Sequence, residues 1–204
     1  MVRRIVVAAG VTDTSAAALV ALVDGRRGHF SLESGYHGGL WLDLDALFAN
    51  AARIDPFVSA LVRALRPYSV DAVCGPLLGG AFLAQIIARS LEVEFCFTER
   101  VPASDENGGL YRTRYRLPAA FTSRVRGKRI AMIDDVMSAG SALRGTFAEL
   151  LEHGALLVLG DAGASFFKRN EIPVEAVARD RYELWPPAAC PLCAAGVPLE
   201  VATG

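Results

Sequence analysis

Four apolar residues, Ile130-Ala131-Met132-Ile133, run directly into two adjacent carboxylates, Asp134-Asp135, and then into Val136-Met137-Ser138-Ala139-Gly140-Ser141-Ala142. A short apolar run bounded in this way suits a strand buried on both faces, as in a parallel sheet covered by helices. Its charged end then lies at the C-terminal edge of the sheet, where open α/β sheets bind ligands. Two neighbouring carboxylates can accept hydrogen bonds from the adjacent 2′ and 3′ hydroxyls of a ribose. The small-residue loop can offer backbone N–H groups and hydroxyls to a phosphate, and the helix after it points its positive N-terminal end at the same anion. Gly140 allows close approach of the backbone. No Gly-Lys-Ser/Thr is present, so this is not a Walker A loop. The same residues would also serve a plain strand-to-helix turn capped by Ser141, and the segment by itself leaves both readings open.

The rest of the chain repeats the alternation. Strands are predicted over 70–74, 93–97, 130–133 and 156–159, and helices over 81–91 and 142–153, the latter closed by Gly154. Gly75-Pro76-Leu77-Leu78-Gly79-Gly80 reads as a turn between the first of these strands and its helix. Upstream, an Ala-rich helix is expected over 13–23, with Thr12 or Asp13 as its cap. Residues 24–39 read as a Gly-rich loop, followed by a weak strand over 40–44. Asp55 is expected to cap a helix that has Pro56 at its first position and runs to Leu65. Asn107-Gly108-Gly109 signals a hairpin, flanked by the charged run Tyr111-Arg112-Thr113-Arg114-Tyr115-Arg116. Strands alternating with helices predict an α/β fold with a parallel sheet and helices on both faces.

At 204 residues and 52% hydrophobic, the chain supports a single domain with a sizeable core. A formal net charge of −1 argues against a nucleic-acid partner. The apolar N-terminal run is too short for a targeting segment, and no run reaches the roughly 18 apolar residues of a membrane span, so a cytoplasmic protein is expected. Nearly all basic residues are arginines, so a cationic group at a site is expected to be Arg, suited to bidentate phosphate contact. Cys74 and Cys96 lie in apolar strands and are expected to be buried. Cys190-Pro191-Leu192-Cys193 is half of a zinc site with no matching second pair, so no side-chain metal site is expected. His29 and His37 read as solvated loop residues.

The segment from Ile130 to Ala142 closely resembles the binding motif for 5-phosphoribosyl-1-pyrophosphate (PRPP) of type I phosphoribosyltransferases. The resemblance implies that Asp134 and Asp135 hold the ribose hydroxyls. It also implies that Val136, Met137, Ser138, Ala139, Gly140, Ser141 and Ala142 cradle the 5′-phosphate. Other segments resemble the orotate branch in the expected order. Gly28-His29-Phe30-Ser31-Leu32 with Ser34-Gly35 is similar to its N-terminal substrate segment. Pro76, Leu77, Leu78, Gly79 and Gly80 look like its pyrophosphate loop. Glu99-Arg100, the hairpin and the Arg-rich return resemble its mobile catalytic loop. Cys190 to Leu199 resembles its C-terminal tail.

That resemblance implies a parallel-sheet PRPP-binding core flanked by helices. A small hood would be built from residues 28–45 and 160–204, with a mobile hairpin over 99–118. It implies transfer of the phosphoribosyl group to a nitrogenous base with release of pyrophosphate, assisted by Mg2+ held mainly by the substrate. Arg100, Arg112 and Arg114 would be the loop cations, and a homodimer is implied. The chain departs from the orotate branch at three positions where basic residues are usual: Glu33, Tyr36 and Ala162. With Phe30, these are the expected base contacts. A carboxylate at 33 suits a neutral or cationic heterocycle better than orotate, whose own carboxylate it would repel. The alternative is a non-catalytic PRPP-binding regulator.

Overall fold

The computed structural model describes residues 23–101, 110–137, 139–153, 157–159, 169 and 183–201. Residues 13–22 of the helix expected over 13–23, the hairpin tip at 107–109, Ser138, Gly154, Ala162 and Phe166-Phe167 lie outside the described residues.

The core is a five-stranded sheet of order β5-β4-β3-β6-β7, comprising β3 (Ala72–Pro76), β4 (Glu94–Val101), β5 (Arg114–Arg116), β6 (Arg129–Met132) and β7 (Leu157–Leu159). The pairs β3–β4, β3–β6 and β6–β7 are parallel, and β5 returns antiparallel to β4. β3 is central and buried along its whole length, which is why its sequence, Ala-Val-Cys-Gly-Pro, carries no polar side chain. Helix α1 (Asp45–Phe48) and helix α2 (Asp55–Leu65) precede it. Helix α3 (Gly79–Leu91) follows β3, α4 (Ala119–Val125) precedes β6, and α5 (Ser141–Glu152) follows β6. One apolar cluster gathers Val58, Val62, Leu65, Val73, Ala84, Ile87 and Ala131. A second gathers Cys74, Cys96, Leu117, Ile130, Leu143 and Leu150. Both expected buried cysteines are therefore core residues. A buried Thr98–Thr146 hydroxyl pair, 2.7 Å apart, ties α5 to β4.

Two expectations are corrected. Asp55 is the first residue of α2, and Ile54 occupies the cap position without a side-chain hydrogen bond. Residues 24–39 are not a loop. β1 (Asp24–Ser31) and β2 (His37–Asp43) form an antiparallel hairpin. β8 (Leu184–Trp185) and β9 (Glu200–Val201) complete a second sheet of order β8-β2-β1-β9. The glycines hid these strands because they lower intrinsic β-propensity, whereas the ladder forms through pairing with a tail far along the chain. Among the described residues, no helix is long and apolar enough to cross a membrane.

Candidate functional site

β6 ends at Met132, so Ile133, Asp134 and Asp135 emerge at the C-terminal edge of the parallel sheet. The Ile133 N–H still donates to the Cys74 carbonyl at 2.8 Å, which holds the acids beside the end of β3. There the Leu77–Leu78 peptide is cis, and α3 starts at Gly79. The two segments are in direct contact. A Cβ built on Gly79 would collide with the Asp135 carboxylate. One on Gly80 would come within 2.8 Å of an Asp134 carboxylate oxygen and 2.9 Å of the Ile133 carbonyl. The pair of glycines is thus required by the pair of acids.

The acids are locally organised. The Asp135 N–H donates to Asp134 Oδ1 at 3.2 Å, and the Val136 N–H donates to Asp135 Oδ1 at 2.7 Å. Burial first, then the Asp135 carboxylate and more weakly the Glu33 carboxylate, push the Asp134 pKa well above the ordinary range; the Asp135 N–H pulls it back in part. In the unfolded chain Asp134 ionises near its usual value of about 3.9. Between that value and the raised folded value the native state holds an extra proton, so the contribution of this group to stability falls as pH rises. Asp134→Asn keeps the oxygen acceptor and removes the charge. It is expected to raise the melting midpoint at neutral pH but not near pH 4, by about 2–4 °C per kcal/mol recovered in a chain of this size. A lower midpoint at neutral pH in calorimetry would show that the charge is not a strain.

Beyond the acids, Val136 is exposed and Met137 packs at the edge of the second core cluster. Ala139 is buried. Gly140 adopts a left-handed conformation (φ 71°) as the cap residue of α5, a backbone that a side chain would strain. Ser141 and Ala142 form the first turn of α5, half-buried beside the loop. Pro76 closes β3, Leu77 donates its N–H to the Thr98 carbonyl at 2.9 Å, and Leu78 is exposed.

Glu33 is where the structure adds most. Its carboxylate accepts the Ser141 hydroxyl at 3.0 Å and the Tyr115 hydroxyl at 3.2 and 3.3 Å, and it lies 3.8 Å from Arg100. Burial and then the Glu33 charge push the Tyr115 hydroxyl above the ordinary phenol range, so it remains a donor. Residues 33–36 are also fixed through the Tyr111 N–H, which donates to the Ser34 carbonyl at 2.8 Å. Tyr36 and Tyr111 meet edge to face at 5.8 Å, and the Arg144 guanidinium stacks 3.8 Å from the Tyr111 ring centre. The turn at 32–36 therefore sits against the start of α5.

The expected base contact Phe30 is corrected: it is 1% exposed, packed near Trp41 at 6.4 Å, and presents no free face. The three arginines divide. Arg100 pairs with Tyr115 and shares its face, whereas Arg114 pairs with Val101, one residue along, and so faces the other way. Arg112 is exposed, two residues before the return strand. Tyr111, Tyr115 and Arg144 were not singled out from sequence. For Tyr115 a signal existed, since one aromatic between Arg114 and Arg116 is the period-two pattern of a half-buried strand.

The expectation that His29 and His37 are solvated is also corrected. His29 and His37 are buried (1% and 6% exposed), and their rings lie beside Cys190 and Cys193. They are strand residues of β1 and β2, not solvated loop residues.

The family model for the phosphoribosyl transferase domain matches residues 43–165. The chain is 31% identical over 179 residues to an orotate phosphoribosyltransferase of Thermotoga petrophila, covering 85% of this chain and 88% of the relative. It is 29% identical over 178 residues to one of Thermus thermophilus, covering 85% and 91%. Among solved structures, orotate phosphoribosyltransferase from Aeropyrum pernix aligns with TM-score 0.53 at 20% identity, covering 76% of this chain and 85% of that one. An adenine phosphoribosyltransferase of Giardia lamblia, complexed with 9-deazaadenine, aligns with TM-score 0.59 at 17% identity, covering 81% and 98%. At these identities the two structures speak for the fold alone.

Proposed function

Since the chain belongs to the phosphoribosyltransferase family, we propose that it moves the 5-phosphoribosyl group of PRPP onto a ring nitrogen of a base, at the junction of Asp134-Asp135 with Gly79-Gly80. The contact between those two pairs carries the reading. It sets acceptors suited to the ribose hydroxyls against a helix start whose first N–H groups have no intrahelical partners and can receive pyrophosphate. C1 of the sugar would lie between them.

As the bond from C1 to the pyrophosphate oxygen lengthens, positive charge grows on the sugar and negative charge on the leaving group. Asp134 and Asp135 hold the ribose and lie on the side where cationic character is tolerated. The N–H groups at Gly79 and Gly80 take up the developing anion. The Gly140–Ala142 turn would hold the 5′-phosphate. Arg100, at the base of the hairpin, and Arg112, just before the return strand, can bring positive charge over the site when the hairpin closes and excludes water. The acid pair, in which burial and then the Asp135 charge lift Asp134, fits Mg2+ as well as hydroxyls. Mg2+, when bound, would neutralise charge on the pyrophosphate. A homodimer, with the hairpin closing over its own site or over the partner subunit's, belongs to the same reading.

Orotate is the acceptor that the curated relatives support. The Glu33 carboxylate does not stand free to repel it, because Tyr115, Ser141 and Arg100 engage that group. A second reading, a neutral or cationic base, rests on Tyr36 and Tyr111, an aromatic pair where a basic residue would be expected at 36. A panel of orotate, uracil, adenine and hypoxanthine with PRPP and Mg2+, followed by pyrophosphate release, separates the two. Orotate turnover is expected to exceed that of the others. Turnover of another base alone would select the second reading. Binding of PRPP without turnover of any base would replace the transferase reading with a regulatory one.

A further inference from the structure

The tail crosses the second sheet from one edge to the other. β8 pairs with β2 at His37–Gly38, and β9 pairs with β1 at Phe30–Ser31. Between them, Cys190-Pro191-Leu192-Cys193 makes one tight turn, continued by the short helix α6 (Pro191–Ala194) and closed by Gly196 at φ 68°. This turn lies against His29 and His37, and the ligand atoms of all four residues fall within 4.8 Å of one another. We propose that His29, His37, Cys190 and Cys193 form a structural metal site of the zinc type, which staples the tail across the second sheet.

The distances have the form of a tetrahedron around one ion. His29 Nε2 and His37 Nδ1 are 3.1 Å apart. Cys190 Sγ lies 3.3 Å and Cys193 Sγ 3.7 Å from His29 Nε2, and Cys193 Sγ lies 3.3 Å from His37 Nδ1. Metal–nitrogen bonds of about 2.0–2.1 Å and metal–sulfur bonds of about 2.3 Å at tetrahedral angles would separate nitrogens by about 3.3 Å, and nitrogen from sulfur by about 3.6 Å.

Ordinary hydrogen bonding accounts for the cluster poorly. His29 Nδ1 faces the Val197 carbonyl at 2.9 Å and must carry the proton there. His29 Nε2 is then a bare lone pair, yet it meets a second imidazole nitrogen and two sulfurs. A single lone pair accepts one strong hydrogen bond, whereas a cation satisfies all four donor atoms together. The Val197 carbonyl supplies the outer contact that commonly fixes the tautomer and orientation of a ligating histidine. Four side-chain ligands leave no open position, which marks a structural site, and two thiolates with two imidazoles select zinc among common divalent ions. A Cys190–Cys193 disulfide would use the sulfurs but leave the two buried imidazoles unexplained.

The test uses the full chain without an affinity tag, produced in zinc-supplemented medium. Elemental analysis is expected to find about one zinc per chain. After exchange to cobalt(II), strong visible bands with sulfur-to-cobalt charge transfer are expected. Cys193→Ser replaces the exposed ligand, and His29→Ala a buried one. Each is expected to lose most of the zinc and the charge-transfer band, and to make residues 183–201 readily cleaved by protease. If a variant does not fold, the wild-type zinc and cobalt measurements decide alone. Substoichiometric zinc together with a cobalt spectrum lacking charge transfer overturns the proposal. So does full zinc retention in Cys193→Ser, or a thiol count showing Cys190 and Cys193 joined as a disulfide.

Discussion

Replacement of both Asp134 and Asp135 by asparagine is expected to weaken PRPP binding by two to four orders of magnitude while leaving the fold intact. Each carboxylate would accept a hydroxyl in a charge-assisted hydrogen bond, with a net contribution of about 1.5–3 kcal/mol. Two such losses come to about 3–6 kcal/mol, or roughly 10²–10⁴ in affinity. Asparagine matches the shape and retains an acceptor for the Asp135 and Val136 N–H groups, so the local turn should survive. Removing the charge at 134 also relieves the native state, so the double variant should melt no lower than the parent at neutral pH. Calorimetric titration with PRPP and Mg2+ measures the effect. Affinity unchanged within a factor of three would remove these acids from the site.

Gly80→Ala is expected to lower kcat/KM by roughly 10- to 100-fold with little change in secondary structure. The added methyl would meet an Asp134 oxygen and Pro76 Cδ at 2.8 Å and the Ile133 carbonyl at 2.9 Å. The two backbone-anchored neighbours cannot retreat cheaply, and forcing a methyl into such a space costs about 1–3 kcal/mol. Part of that cost is displacement of the helix start from the acids, which is a loss of transition-state geometry. Gly79→Ala meets only the Asp135 side chain among polar atoms, and a side chain can rotate. That rotation spares the backbone but takes Asp135 off the ribose, so Gly79→Ala should be milder for stability and no milder for kcat/KM. Circular dichroism and steady-state kinetics on both variants check the order. Equal, near-parental activity would mean that the glycine–acid contact has no part in catalysis.

The core was legible in the sequence because its signals are local. The apolar run ending in two acids places β6 and its edge within a residue. The two β-strands and helix around Gly75–Gly80 appear within a few residues of their expected bounds, since an apolar strand, a Gly-rich turn and an amphipathic helix follow one another directly. The second sheet was not legible because nothing local requires it. Gly28, Gly38 and Gly39 have weak strand preference, and the partners of β1 and β2 include residues 184–185 and 200–201. Glu33 could be flagged as unusual, but its partners Tyr115 and Ser141 lie 82 and 108 positions away. Only the fold brings them together. The His–Cys cluster is hidden for the same reason: its cysteines announce themselves by spacing, while its histidines contact them from 156 to 164 positions away and look like loop residues until the hairpin forms.

The pairing of β9 with β1 has a consequence for how the protein is made. Residues 72–159 contain every strand of the five-stranded sheet, so that sheet can assemble while synthesis continues. The four-stranded sheet cannot. Its first two strands leave the ribosome early, but their outer neighbours are residues 184–185 and 200–201. The β1–β2 hairpin must wait through most of translation with both edges unpaired, the state in which nascent strands are most open to wrong partners.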